Sequence, residues 1–567
     1  MRHGALHRLI IIVAALAVMA PMAALPAVAA ISDVPDETTG TALRGVDPVL
    51  VKDIQKRLAE LGIYRGPRDG RLSDATKSAI RAYQRQARLT IDGQVSRALL
   101  RQLDTAVVKA GILLSRVESA RQKQTIAARK ALEDHAAARD LLAAIPAKTP
   151  IEAPAVGGPS CLATPQPDCL LDEALKAALA TGKQHLRNGA FRDVALAWTV
   201  VGDVSAGIAT AKRMSDPRML IVALGKIARV QAGEGDYQGA HATALAVPDP
   251  RVRAQALAVI AGLQLAVGLD GAARDTLSDV LDATARITKP LWRITLMCQM
   301  ALLRVKLGEA ESANEMLDQA LEGARAIEGG LARDNALARV ASAQAEIGRL
   351  DEALIIAASI YQARHRVPVL ILIAKIYGEA GETANARLIA DSIGDARYRV
   401  TALISTALAQ ASDGHEAAAR QTLSDARATS QTIVQDYSRA YALSRVARGQ
   451  AEIGAIEDAR ETTQEVDREK LRALALWAIA ASPASLCGKT TACADMTLAF
   501  AATRKIKNDL ARITLLADIA ITRAQAGDRG AAISLFDEAL AVAVDLVKPW
   551  ARARALSRLA TTLSAIR

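Results

Sequence analysis

Aromatic side chains are scarce in this sequence. Phe, Trp and Tyr make up 3% of its 567 residues, and only three are Phe. A core of strands padded with large rings is therefore not expected. Ala, Leu, Arg and Glu dominate instead. That balance suits closely packed helices, because Ala has the best helix propensity and lets backbones approach. Histidine is equally thin. Beyond the N-terminal segment it occurs only at His135, His185, His241, His365 and His415, scattered and without H-E-x-x-H spacing. A P-loop, a G-x-S-x-G elbow and a Cys–His arrangement with local support are all missing. Acidic pairs such as Asp351-Glu352 sit on helical faces, where solvated charge is the default. The expectation is a non-enzymatic chain with no catalytic residues, no metal and no cofactor. After the first thirty residues, long apolar runs are absent too, so no later transmembrane span is expected.

What is present begins with an export signal. Arg2 and Arg8 supply positive charge and an apolar run follows from Leu9 to Ala20. That run stops at Pro21, short of a comfortable span, and Ala27-Val28-Ala29 offers a cleavage site. Residues 1–29 are read as a signal peptide and the remainder as periplasmic or secreted. A retained membrane anchor is the alternative. The formal charge is +11, from 71 Lys and Arg against 60 Asp and Glu. It favours acidic partners, such as anionic wall polymers or lipid head groups. Both signs are interspersed and no Lys/Arg block stands out, so nucleic acid is not implied.

The five cysteines are Cys161, Cys169, Cys298, Cys487 and Cys493. In an oxidising compartment Cys161 with Cys169, and Cys487 with Cys493, would each close a short loop. Zinc is disfavoured, since neither pair has C-x-x-C spacing or a neighbouring His. Cys298 lies in an apolar helical stretch and reads as a buried, inert thiol.

Residues 30–45 read as a linker. From 46 to 104 the pattern changes. Val51, Ile54, Leu58 and Leu61 fall at helical spacing and Gly62 closes that helix. A tight loop, Gly66-Pro67-Arg68-Asp69-Gly70, follows. Ser73 or Asp74 caps a second helix with Ala75, Ala79, Ile80 and Tyr83 inside. A second Asp-Gly turn stands at Asp92-Gly93, and a third short helix ends with Leu99, Leu100 and Leu103. Taken as a set, Gln55, Leu58, Leu61-Gly62, Asp69-Gly70, Thr76, Ala79, Tyr83-Gln84 and Asp92-Gly93 resemble the type 1 peptidoglycan-binding domain. The chain departs from it at Leu72-Ser73, where the family usually has an aromatic and a glycine. The resemblance implies a three-helix bundle with a shallow groove for wall peptide or glycan. Tyr64, Arg65, Arg81 and Tyr83 are the contact residues guessed within it, Tyr for its stacking face and polar tip, Arg for its carboxylate fork.

Residues 105–145 continue as helix, read as a connector in the form of a hairpin or stalk. Residues 146–170 hold Pro146, Pro150, Pro154, Gly157-Gly158-Pro159, Pro165 and Pro167, a density that marks a linker.

From about 171 the sequence repeats. Glycines at 202, 235, 268, 308, 348, 381, 414, 454 and 527 stand 33, 33, 40, 40, 33, 33, 40 and 73 residues apart. The last gap equals 33 plus 40, which places a missing position at Cys487. Seven residues before each glycine stands Ala, from Ala195 to Ala520, and five after most stands Ala again, from Ala240 to Ala532. Seven added residues are about two helical turns, so a helix can lengthen without rotating its buried face. The columns resemble the tetratricopeptide family, which implies two antiparallel helices per repeat. Neighbours stack, because one repeat cannot bury its apolar face alone. A further column lies fifteen residues before each glycine: Arg187, Arg253, Arg293, Arg333, Arg366, Arg399, Arg439, Arg472, Arg512 and, before the chain end, Arg552, interrupted only by Leu220. Arg near a helix start opposes the macrodipole. Two readings stay open: a structural ladder pairing with an acidic residue or turn carbonyl of the next repeat, or a line of guanidinium groups facing an acidic partner.

The expected fold is all-α: a small peptidoglycan-binding-like bundle followed by a long solenoid of tetratricopeptide-like helix pairs over 171–567. The expected role is an exported cell-envelope scaffold that docks to peptidoglycan and binds envelope proteins. A periplasmic adaptor without wall affinity is the alternative, and a peptidoglycan-acting enzyme a more remote one.

Overall fold

The computed structural model describes residues 47–145, 162–482, 494–525 and 527–567. It is all-helical, with 26 helices and no strand among the described residues. The segments read as signal peptide and first linker, together with Cys161, Cys487 and Cys493, lie outside the described residues. Cys169 is disulfide-bonded. Cys298 is a free, buried thiol, and burial pushes its pKa up to about 12.

Contacts divide the chain into two units, residues 1–127 and 128–567. The first is built on α1 (Pro48–Glu60), α2 (Asp74–Gln86) and the opening turns of α3 (Arg97–Asp134). Asp47 and Ser73 cap the first two helices by accepting backbone N–H bonds. Ile54, Leu58, Ile80 and Leu103 are fully buried and form the core. The third helix is not short, as its sequence suggested. It runs unbroken for 38 residues, because no glycine or proline turn follows Leu103.

The second unit begins with the end of α3 and α4 (Ala136–Ala144). Then come α5 (Pro167–Leu179), α6 (Gln184–Val200), α7 (Val204–Ala211), α8 (Pro217–Gly233), α9 (Tyr237–Leu245), α10 (Pro250–Ala266), α11 (Asp270–Ala285), α12 (Pro290–Lys306) and α13 (Ala310–Arg325). They are followed by α14 (Gly330–Glu346), α15 (Leu350–Ala358), α16 (Ala363–Glu379), α17 (Thr383–Asp391), α18 (Ala396–Ser412), α19 (Glu416–Gln431) and α20 (Asp436–Glu452). The last are α21 (Ile456–Gln464), α22 (Glu469–Ala481), α23 (Ala494–Arg504), α24 (Asp509–Gln525), α25 (Arg529–Val544) and α26 (Pro549–Ile566).

Each repeat pairs a long first helix (α6, α8 and so on to α26) with a second helix after the register glycine. The glycine ends the first helix at positive φ, for example 96° at Gly202. There the N–H of Gly202 bonds to Thr199 O and that of Asp203 to Trp198 O, at 3.1 and 3.0 Å. This pattern satisfies the last carbonyls of the helix and needs a residue at home in the left-handed region. The difference between 33 and 40 residues falls on the second helix, which has 9 residues in α9, α15, α17 and α21 and 16 in α11, α13, α19 and α25.

The small residues sit where the helices of a pair cross. The Ala column seven before the glycine is fully buried at all but one position, Ala480 being 1% exposed. At Gly207, the position five after Gly202, a methyl would stand 2.8 Å from Ala195 O and 2.7 Å from Thr199 Oγ1. This crossing is too close even for Ala.

The repeats do not end as an open superhelix. Every first helix packs on the first helix before and after it, and α26 packs on α6, so eleven first helices close a circle. Each second helix packs on its own first helix and the next one, which places it on the outer circle. α5, from the start of the unit, packs against α26 and α6, in the place that a second helix takes in the other repeats. Pro167 opens α5, so the stretch read as linker to residue 170 already contains ring structure. Leu170 and Leu171 are fully buried in one core with Leu556, Leu559 and Ala560. Arg554 pairs with Asp193 at 3.2 Å across the same seam.

Candidate functional site

The N-terminal module owes its local geometry to two glutamines, each buried and each clamping an Asp-Gly turn. Gln55 accepts from Gly70 N–H at 2.9 Å and donates to Asp69 Oδ1 at 3.2 Å, Arg71 O at 3.0 Å and Thr76 Oγ1 at 3.2 Å. Gln84 accepts from Gly93 N–H at 2.9 Å and donates to Asp92 Oδ1 at 2.7 Å. Each aspartate also accepts from the N–H two residues on, Arg71 at 3.0 Å and Gln94 at 2.8 Å. These backbone bonds, followed by the glutamine bonds, hold both carboxyl pKa values below the ordinary 3.8. Both turns are thus rigid platforms, and glycine is required at each because φ is 76° at Gly70 and 68° at Gly93.

The residues guessed as contacts separate into two kinds. Tyr64 and Tyr83 are 5% and 7% exposed and belong to the core. Tyr64 donates to Pro67 O at 3.0 Å and accepts from Thr76 Oγ1 at 3.3 Å, so its polar tip is used inside the module. Burial pushes the Tyr83 phenol pKa up. Neither ring is open to a ligand, because a bundle with only three helices needs both to fill its core. Arg65 and Arg81 are exposed. Four further arginines, at 68, 71, 85 and 88, are exposed as well. Ion pairs within residues 47–104 involve Arg57, with Glu60 and Asp104. Among the described residues the six exposed guanidinium groups have no salt-bridge partner; Arg68 and Arg71 flank the first clamped turn, and the Arg81 side chain lies against Gly93 in the second. Sequence reading missed four of them. The spacing of Arg81, Arg85 and Arg88, four then three, was the available signal.

Residues 49–103 match the family described as "Putative peptidoglycan binding domain". The match covers the three-helix module alone, and it supports affinity for peptidoglycan and a wall-associated location. No curated protein matches the chain with significance. Among solved structures, Ton1535 from Thermococcus onnurineus NA1 is similar at 16% identity over 56% of this chain and 95% of that chain, with a TM-score of 0.26. An overlap that loose says nothing about function. The tetratricopeptide likeness of the ring rests on its sequence columns and paired helices.

In the ring, the arginine column has a definite geometry. Arg253, Arg366, Arg399, Arg439 and Arg472 each donate to the carbonyl six residues earlier, at 2.8, 3.4, 2.9, 3.1 and 2.8 Å. Arg187 reaches Gly182 O at 3.5 Å. Among the described contacts, Arg512 holds Asp509, and no such carbonyl bond forms at Arg293, Arg333 or Arg552. The carbonyls belong to Val247, Ile360, Ile393, Ile433 and Val466, buried aliphatic residues in the loop that joins one repeat to the next. The guanidinium ties down the loop preceding its own helix, which offsets its unfavourable place at a helix start. Pairing between repeats is carried by other arginines, Arg554 and Arg558 on the last inner helix and several on the outer helices. Arg274 bonds Glu309, Arg427 bonds Glu465 and Glu461, and Arg504 bonds Glu538. Arg460 makes a two-pronged bond to the buried Asp495 at 3.0 and 2.6 Å.

Among the described residues, no group of His, Cys, Asp and Glu could hold a metal ion. No described helix is long and apolar enough to cross a membrane.

Proposed function

We propose that the protein is an exported cell-envelope scaffold. Its module holds peptidoglycan and its ring holds a protein partner, without catalysis. The observation that carries this reading is the peptidoglycan-binding match over residues 49–103, joined to six exposed arginines of the module that pair with no acid among the described residues. Wall peptides end in carboxylates, and an exposed guanidinium is a two-pronged donor for a carboxylate. Export is supported by the charged, apolar and small-residue order of residues 1–29. A ring of repeats offers a large surface on rigid helices, the usual equipment of a protein-binding array.

The test is sedimentation of the mature chain with purified sacculi. The full chain should pellet, and a variant lacking residues 46–104 should stay in solution. An Arg81→Glu, Arg85→Glu double variant should lose most binding while keeping its thermal transition. If the full chain does not pellet, the wall assignment fails. The second reading, a periplasmic adaptor without wall affinity, then takes its place; the burial of Tyr64 and Tyr83, which removes two aromatic contacts, favours it.

A further inference from the structure

The first helix of each repeat has one face that no neighbour covers. It consists of the positions 17, 13, 9, 6 and 2 residues before the register glycine, with Cys487 and Arg567 marking the two repeats that lack one. None of the described residues at these positions is buried, in any of the eleven helices. Because these helices form the inner circle, the five columns line the lumen. Helices packed about 9 Å apart place eleven axes on a circle of radius about 16 Å. Allowing about 5–6 Å for each helix and its side chains leaves an opening roughly 20 Å across. One extended chain or a single helix fits such a space, and a folded domain does not.

Charge is segregated onto this face. Residues 162–567 hold 48 Lys and Arg against 45 Asp and Glu, a surplus of 3. The five lumen columns hold 14 Lys and Arg against 5 Asp and Glu, a surplus of 9. The rest of the ring is therefore net acidic, by 6. The ring as a whole is nearly neutral, so the surplus belongs to this face. Several of these cations are crowded rather than paired. Burial lowers the Lys226 pKa, as do Arg192 and Arg229 beside it. Burial likewise lowers that of Arg445, whose nearest bond is to the neutral Thr401 Oγ1 at 2.9 Å.

The lumen is also amphipathic. Leu196, Val222, Leu302, Leu408 and Ile521 occupy the same columns as the charges. On α20 the stripe reads Tyr437, Tyr441, Arg445, Arg448, Glu452. Tyr437 is 64% exposed and Tyr441 49%, in a chain with only eight tyrosines. Tyr and Arg are the side chains that most often dominate binding energy at protein interfaces. A phosphate chain or sulfated glycan needs only the cations, whereas the tyrosines and aliphatic residues call for apolar side chains on the ligand.

We propose that the lumen grips an extended acidic polypeptide segment that also carries apolar side chains, with Tyr437, Tyr441, Arg445 and Arg448 of α20 as its principal contacts. This rests on the reading of the ring as the protein-binding part, and it names the surface and the chemistry of the partner.

The test uses the full mature chain and a labelled synthetic peptide of repeating Glu-Ala-Asp-Leu, followed by fluorescence anisotropy. Binding should weaken with salt, and the same peptide with Lys at every acidic position should not bind. Arg448→Glu and Tyr441→Ala should each weaken binding by more than about tenfold, as expected for a hot-spot side chain. Arg420→Glu, on the outer helix α19, should change it by less than about twofold. The proposal is overturned if the acidic peptide does not bind, or if Arg448→Glu behaves like Arg420→Glu. Heparin binding through the same residues at equal strength, indifferent to Tyr441→Ala, overturns the polypeptide class. Cross-linking to envelope proteins separates the two levels. Partners captured equally by the Arg448→Glu ring leave the scaffold reading standing and remove the lumen. Capture by neither removes both.

Discussion

The module and the ring solve the same problem, holding helices together with few large side chains, in opposite ways. The module uses single polar side chains with several bonds each. Gln55 alone ties a turn, a neighbouring aspartate and a threonine. The ring repeats a few weak devices many times: a buried Ala seven before the turn, a glycine at most turns, and at six described positions an arginine on a loop carbonyl. The difference teaches where each part is vulnerable. In the module any one clamp matters. In the ring most positions have ten equivalents, and the unique feature is the seam, where α5 must find α26 across almost the whole length of the unit.

The largest effect is expected at that seam. The double variant Leu170→Ala, Leu171→Ala should cost about 4–8 kcal/mol, from cavities at two fully buried positions. Small-angle scattering should show the ring opening, and denaturant unfolding should lose its single cooperative step. Retention of a closed, cooperative ring would mean that closure does not depend on α5. Next comes Gly207→Ala, which forces a methyl against Ala195 O and Thr199 Oγ1. It should cost about 1–3 kcal/mol, read as a shift of the ring transition alone.

Gln84→Ala should be comparable within the module. It leaves Gly93 N–H without its acceptor and Asp92 with only the Gln94 N–H, at about 1–3 kcal/mol, while the ring transition stays fixed. The same clamps set an acid limit. Asp69 and Asp92 have pKa values lowered on folding, so their stabilisation is present above the ordinary 3.8 and is lost as pH falls below it, through the folded values. The module should therefore melt earlier in that acidic window, and Asp92→Asn should blunt the dependence. The smallest effect is expected at Arg399→Ala, one loop tie among many, at about 0.5–1.5 kcal/mol.

Much of this was legible in the residues. Periodicity marked the helices, and the glycine register located the described turns between the two helices of each repeat, including the change from 33 to 40 residues. The module's Asp-Gly turns and their flanking glutamines were visible as a set. Other features were not. Tyr64 reads as a contact because Tyr is amphipathic, and Tyr83 reads both as inner face and as contact; only the packing of the three helices shows that both rings are consumed by the core. The arginine column and a turn carbonyl as one of its partners were legible, but the carbonyl lies in the loop before the arginine's own helix and not in the next repeat. The signal was the aliphatic residue six positions earlier, at Val247, Ile360, Ile393, Ile433 and Val466, whose carbonyl takes the bond.

Local sequence determined what each helix is, where it turns, and which side of it is apolar, because propensity, periodicity and the left-handed demand of a glycine turn act within a few residues. The tertiary structure alone decided that the array closes. Closure depends on the small rotation between successive repeats summing to a full turn after eleven, and no single repeat encodes that sum. It also decided that α5 belongs with α26, and that the scattered charges of a nearly neutral ring gather on one inner face.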